Sequence, residues 1–226
     1  KPHYGVILLW AALRKEWGFV AGCASTLAIG LAVSATLFGF ANHLDYLRVL
    51  SFLSQHGEAY FPNQSVNGIL NRIAGIGAGD LYVNLDLPPG KFPPFNPWIY
   101  GATLTSTLAS LVLGLTRSPA AYGGDSVRAF AIMALCATMA SPIAWEHHYG
   151  VTLPLFAIAL SDALSSRARL IGLMASYVAI ATLVSVTNLL AGTWLNICQS
   201  TLFFGALALL WILCNETRQG RIAAAA

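Results

Sequence analysis

The stretch WGFVAGCASTLAIGLAVSATLFGFAN, residues 17–42, decides the fold class, because it carries no Lys, Arg, Asp or Glu. An α-helix crosses the hydrocarbon core of a bilayer with about 20 apolar residues, and this run supplies them without a break. Leu170 to Asn215 is uncharged as well, is too long for one crossing, and divides at Ala191-Gly192-Thr193-Trp194-Leu195-Asn196 into two. Phe92 to Thr116 is also free of charge, its proline-rich start belonging to the preceding loop. Ala129 to Ile143 is a shorter span closed by Ser141-Pro142, and apolar sequence resumes from Tyr149 to Ser161. Tyr4 to Leu13 reads as the end of a further helix, or a short one. The expectation is an all-α, polytopic transmembrane helical bundle of six spans and one partial span, forming a single transmembrane domain over 1–226.

The composition agrees. Of 226 residues, 57% are hydrophobic and 9% are charged, against about 25% charged in a soluble domain. So few charges could not cover a water-facing surface, and lipid must cover part of it. The net charge of +3 is small and dispersed, which argues against nucleic acid as a partner. Lys1 leads straight into an apolar run with no signal-peptide layout. The chain therefore reads as the C-terminal part of a longer membrane protein. Cys23, Cys136, Cys198 and Cys214 stand singly, with no C-x-x-C pair, and read as small hydrophobes within the spans.

Loop charge sets the orientation. Arg14/Lys15, Arg117/Arg128, Arg167/Arg169 and Arg218/Arg221 mark alternate connections, and the loops between them are short and not basic, or long. The basic ends and the C-terminus then face the cytoplasm. The 43–97 loop, the Glu146-His147-His148 break and the Gly192 turn face outward. The 43–97 extracytoplasmic loop insertion is too long for a passive linker and too apolar for disorder. Leu44 to Ser54 reads as an amphipathic helix in the interface. Asn63 to Ala74 reads as a second helix, with Val66, Ile69, Leu70 and Ile73 at helical spacing. Gly75 to Gly79 reads as a turn, and Pro88 to Pro94 as an extended segment leading into the next span.

Two stretches carry candidate chemistry. In Ser141-Pro142-Ile143-Ala144-Trp145-Glu146-His147-His148-Tyr149, a carboxylate and two imidazoles lie between aromatic residues at the membrane boundary, where ionisable groups are functional candidates. The plain alternative is an interfacial turn made polar by water. Adjacent histidines diverge by about 100° on a helix, and no third ligand is evident, so no metal is expected. In Phe61-Pro62-Asn63-Gln64-Ser65-Val66-Asn67-Gly68-Ile69-Leu70-Asn71-Arg72, carboxamides open a helix that ends on an arginine. Carboxamides suit hydroxyl-rich ligands and helix N-termini suit anions. Simple capping by Asn63 or Ser65 is the alternative. Lys1 stands at the outward end of the partial helix, as a phosphate contact or a snorkelling side chain.

The 141–149 stretch resembles the S-P-x-x-W-x-H-H segment of glycosyltransferase family 87. Asn63-Gln64-Ser65-Val66-Asn67-Gly68 resembles that family's N-Q-S-x-x-G segment. Lys1-Pro2 with the Arg14-Lys15-Glu16-Trp17 loop is similar to its K-P element and basic-aromatic loop. The order and spacing of all three agree along the whole chain. The resemblance implies a GT-C-like membrane enzyme that transfers a sugar, mannose or a relative, from a polyprenyl-phosphate donor. The acceptor would be a hydroxyl of a glycolipid or glycan, and the transfer would occur on the extracytoplasmic side. It implies no cofactor. It places catalysis at His147, His148 and Glu146, and substrate binding at Asn63, Gln64, Asn67, Arg72, Trp145 and Lys1. It also implies that the family's proposed catalytic Asp lies upstream of Lys1, outside this chain. Glu146 stands where the family often has Asp or Ser. The setting would be a bacterial inner or plasma membrane, with membrane lipids as neighbours.

Other classes stay open on the residues alone. A transporter or polyprenyl-sugar flippase should show charges within spans and broken helices in matched halves, and neither is visible. An intramembrane hydrolase would need an activated serine, for which Ser141 before Pro142 is a poor candidate. A non-catalytic remnant lacking the upstream general base is the remaining alternative.

Overall fold

The computed structural model describes residues 2–75, 92–117, 126–181 and 184–224. A 3-10 turn, Pro2–Gly5, leads into α1 (Val6–Leu13), followed by α2 (Trp17–Phe38), α3 (Phe40–His56) and α4 (Val66–Ala74). Then come α5 (Pro97–Arg117), α6 (Ser126–Met139), a 3-10 turn Glu146–Val151, α7 (Thr152–Ala163) and α8 (Arg167–Ile180). Short α9 (Val184–Thr187) and two 3-10 turns, Asn188–Leu190 and Trp194–Ser200, connect to α10 (Thr201–Ala224). Among the described residues the fold is all-α, with one isolated β-bridge between Asn63 and Trp145.

Three segments are long and apolar enough to cross a bilayer among the described residues: Trp17–Phe38, Pro97–Arg117 and Trp194–Asn215. Six were expected. α6, α7 and α8 have 14, 12 and 14 residues. At 1.5 Å per residue they rise only about 18–21 Å, against a hydrocarbon core of about 30 Å. Ser141-Pro142 stops α6 early, because the pyrrolidine ring disfavours a helical residue before it. The second part of the Leu170–Asn215 run starts at Trp194, within the expected 191–196 break, but the first part ends sooner than expected. α8 ends at Ile180, and the described chain from 184 to 200 is a series of short turns before α10. Absence of charge concealed this, since Asn188, Asn196, Gln199 and Ser200 are polar without being charged.

The core forms where α6, α7, α8 and α10 meet. Ile132, Leu135 and Met139 of α6, Leu155 and Ala159 of α7, Leu173 of α8 and Leu209 and Leu213 of α10 are buried together. A second cluster joins Trp10 and Ala11 of α1 to Met133 and Ala137 of α6. α2 buries none of its residues. Leu27, Ile29 and Leu31 are each more than half exposed, an apolar surface of the kind lipid covers. All four cysteines are free thiols, Cys136 buried and the others half-buried.

The two ends of α6 differ in character. At its start, Arg14 donates to Ser126 at 3.3 Å, and Arg128 pairs with Asp162. The far end lies one helix length away, about 20 Å, and gives onto the 141–151 turn and the start of α5. α3 and α4 sit at this second end. α3 runs slightly beyond the expected Leu44–Ser54. α4 begins at Val66 rather than Asn63, because Ser65 caps it, its Oγ accepting from the Gly68 N–H at 3.1 Å. Of the expected Gly75–Gly79 turn only Gly75 is described. Within Pro88–Pro94, residues 88–91 lie outside the described residues, and 92–94 are irregular.

Candidate functional site

At the second end lies a cavity of about 550 Å³. Its lining takes in Tyr46, Leu50 and Leu53 of α3 and Leu104 of α5. It also takes in His3, ahead of α1, and Ser141, Trp145, His147 and His148 from the turn after α6, beside the apolar Ala140, Pro142 and Ile143. Thr103 and Thr107 of α5 and Ser54 of α3 complete it.

The 63–72 segment stands behind this cavity, not in it. Asn63, Gln64, Asn67 and Arg72 are all buried, and none of the four lines the cavity. Asn63 Nδ2 donates to the carbonyls of Glu58 (2.9 Å) and Pro142 (3.2 Å). Its Oδ1 accepts from Ser65 Oγ (2.8 Å) and from the Ala144 N–H (3.0 Å). Gln64 Nε2 donates to Phe61 O and Gln199 O, and the Tyr149 hydroxyl donates to Gln64 O. Burial raises the Tyr149 phenol above its ordinary value. Asn67 Oδ1 accepts from the Glu58 N–H and from Asn71 Nδ2, while its Nδ2 donates to Thr103 Oγ1. The glycine of this motif has a steric reason: a Cβ on Gly68 would collide with the Asn63 carbonyl.

Arg72 is fully buried. It donates to the carbonyls of Tyr60 (3.3 Å) and Asn63 (3.0 Å) and to Ser200 Oγ. Burial pushes its guanidinium down to about 10, so it stays charged at neutral pH. The cation joins α4, the 60–63 loop and the 194–200 turn.

The 145–148 turn is built differently. The Asn63–Trp145 bridge and the Gln64 N–H to Ala144 O bond, 2.8 Å, dock its start on the loop before α4. The Trp145 N–H donates to His148 Nδ1 at 2.9 Å, and the His148 N–H donates back to Trp145 O. His148 Nδ1 also lies 3.2 Å from the Trp145 carbonyl, so both backbone groups of Trp145 hold this edge of the ring. His147 is exposed, its ring 4.1 Å from that of His148 and edge-on to Trp145 at 5.8 Å. Glu146 is half-buried, is not among the lining residues, and is raised by burial.

Of the nine residues expected at the site, Trp145, His147 and His148 meet at the cavity. Asn63, Gln64, Asn67 and Arg72 meet beneath it, Glu146 stands aside, and Lys1 lies outside the described residues. Two residues were missed. His3 lines the cavity, and its place beside Lys1-Pro2 ahead of an apolar run was a usable signal. Glu58 accepts from Trp145 Nε1 at 2.5 Å, a pairing across 87 positions that no local pattern announces.

No curated protein and no solved structure matches the chain. The family model of glycosyltransferase family 87 matches residues 1–144. The match takes in the 63–72 segment, α3, α5 and α6, and it stops just before Trp145. It covers more than half of the sequence, and on that ground the chain belongs to glycosyltransferase family 87.

Proposed function

We propose that this membrane glycosyltransferase takes its sugar, mannose, from a polyprenyl-phosphate donor at the cavity and passes it to a hydroxyl of a glycolipid or glycan. The observation that carries this reading is the mixed lining of the cavity, which joins the side chains of Leu50, Leu53 and Leu104 to those of His3, His147 and His148. A polyprenyl-phosphate sugar is mixed in the same way. Its isoprenoid chain matches Leu50, Leu53 and Leu104, and its phosphate and sugar match the imidazoles and hydroxyls of the lining. The cavity lies on the extracytoplasmic side, since the opposite end of α6 holds Arg14 and Arg128, and the C-terminus is cytoplasmic.

In the transfer, the acceptor oxygen bonds to the anomeric carbon as the bond from that carbon to the phosphate oxygen breaks. The acceptor proton goes to the Asp that the resemblance places upstream of Lys1, acting as general base. The lipid phosphate leaves with one more negative charge. His148 and the neighbouring His147 supply hydrogen bonds to that charge as it develops. The 63–72 segment holds the turn in place from below, acting through Asn63 and Gln64 and not by contact with ligand.

The test is sugar transfer by the protein in detergent or vesicles, from synthetic farnesyl-phosphate-mannose. Labelled product from the wild-type chain, extended by the upstream segment to which the resemblance assigns the Asp, and its loss in His148→Ala are expected. Transfer from a nucleotide sugar, and none from the lipid phosphate donor, would overturn the donor assignment.

A further inference from the structure

Glu58 lies behind the cavity, on the short connection between α3 and α4. Its backbone is fixed on both sides: its N–H donates to Asn67 Oδ1 at 3.0 Å, and its carbonyl accepts from Asn63 Nδ2 at 2.9 Å. The preceding Gly57 has φ 66°, and a Cβ there would collide with the Asn67 carboxamide. Only glycine lets the chain turn this closely against α4. The carboxylate held in this way accepts from Trp145 Nε1 at 2.5 Å.

Trp145 is correspondingly constrained. Its backbone is bridged to Asn63 and tied to His148. With the indole N–H engaged from behind, the ring is flanked by Tyr60 at 6.2 Å and 73° and by His147 at 5.8 Å and 88°. Its remaining exposure, 37%, accompanies its place on the cavity wall. A pyranose presents a face of C–H groups that packs on an aromatic ring, and such packing depends on the angle of the ring.

We propose that Glu58 is a positioning residue of the transfer site: its carboxylate sets the angle of the Trp145 indole, which is the platform for the donor's sugar ring. This rests on the reading of the cavity as the donor site. Glu58 does not touch the sugar. A charge-assisted hydrogen bond holds the indole more firmly than a neutral one. Burial raises the carboxyl, and the indole N–H partly offsets this.

The experiment uses the full chain in detergent with 5-fluorotryptophan, the Trp145 resonance being identified by its loss in Trp145→Phe. Glu58→Leu should shift or broaden that resonance. Glu58→Gln, whose amide oxygen still accepts from the indole, should keep it near its wild-type position. With farnesyl-phosphate-mannose, Glu58→Leu should raise KM about tenfold with a smaller change in kcat, because the platform binds ground and transition states alike. Trp145→Phe should do the same, and the two together should do no more than either alone. An unmoved resonance in Glu58→Leu, or additive losses in the double variant, overturns the proposal. If the wild-type chain, extended by the upstream segment to which the resemblance assigns the Asp, transfers nothing from this donor, the donor assignment falls and the platform is judged by titrating n-octyl mannoside onto the resonance. A wild-type shift that Glu58→Gln keeps and Glu58→Leu loses supports the platform, and no wild-type shift overturns it.

Discussion

Asn63 and His147 belong to segments that touch through the Asn63–Trp145 bridge, yet Asn63 has no exposed surface and His147 is exposed. Both segments are polar islands in an apolar chain. In the 63–72 segment the carboxamides bond within the protein, to Glu58, Phe61, Pro142, Ala144 and Gln199. In the 145–148 turn, Trp145, His147 and His148 line the cavity. A buried amide must find partners within the protein, because leaving it unpaired costs about 1–3 kcal/mol. A half-exposed imidazole is under no such demand and stays available to a ligand. Polar residues amid apolar sequence therefore signal importance in both segments, and burial alone separates scaffold from wall.

The largest expected effect tests that separation at Arg72. Arg72→Ala removes three hydrogen bonds from a buried cation and leaves Tyr60 O, Asn63 O and Ser200 Oγ without it. Hydrogen bonds to a charged group contribute about 1.5–3 kcal/mol each. Allowing for relaxation, the variant should lose about 4 kcal/mol of stability, read as thermal unfolding in detergent. Residual transfer should then track the amount of folded protein. A variant as stable as wild type, with its donor KM raised, would move Arg72 from the scaffold to the ligand site.

Sequence made part of this legible. Uncharged length located α2, α5 and α10, and 3.6-residue spacing located α4. The three other expected spans, at α6, α7 and α8, are shorter than the hydrocarbon core among the described residues. Pro142 and the turn at Ser165-Ser166 set those lengths. The site was half legible. The S-P-x-x-W-x-H-H resemblance picked out Trp145, His147 and His148, which meet at the cavity. N-Q-S-x-x-G picked out residues that bind one another across long separations, Asn63 to Pro142 and Gln64 to Gln199. Pairings of that kind depend on topology, which spacing within one segment does not encode. Glu58 was missed for the same reason.

The next effect falls on the wall. His148→Ala should lower transfer about 100-fold, within the range a positioned proton donor contributes. Its stability cost should be about 1 kcal/mol, since the ring also accepts from the Trp145 N–H in the manner of a helix cap. The ratio of the two effects is the reverse of that at Arg72. His148→Ala with full transfer would make the 145–148 turn a second scaffold and dissolve the contrast.

A smaller effect probes the apolar part of the lining. Leu50 is half-buried on α3 and faces the cavity. Leu50→Ala removes part of a hydrocarbon contact, at roughly 0.8 kcal/mol per fully buried methylene and less for a half-buried one. The donor KM should rise about fivefold with kcat unchanged, the pattern of lost uniform binding. Shortening the donor's isoprenoid chain below the reach of α3 should erase the difference between variant and wild type. An equal loss with long and short donors would separate Leu50 from the lipid.

The smallest effect concerns Glu146, which shares the sequence of the turn and not its place at the cavity. Burial raises its carboxyl above the ordinary value, so between the unfolded and folded values the folded chain holds more protons than the unfolded one. Stability then falls as pH rises through that window, and at neutral pH the folded protein carries a carboxylate it would hold more easily protonated. Glu146→Gln removes this cost. It should raise the unfolding temperature slightly at pH 7, with the gain shrinking as pH drops toward the ordinary carboxylate range, and it should leave transfer unchanged. A loss of transfer at unchanged or higher stability would instead make Glu146 part of the wall, reached by a movement of the turn when substrate binds.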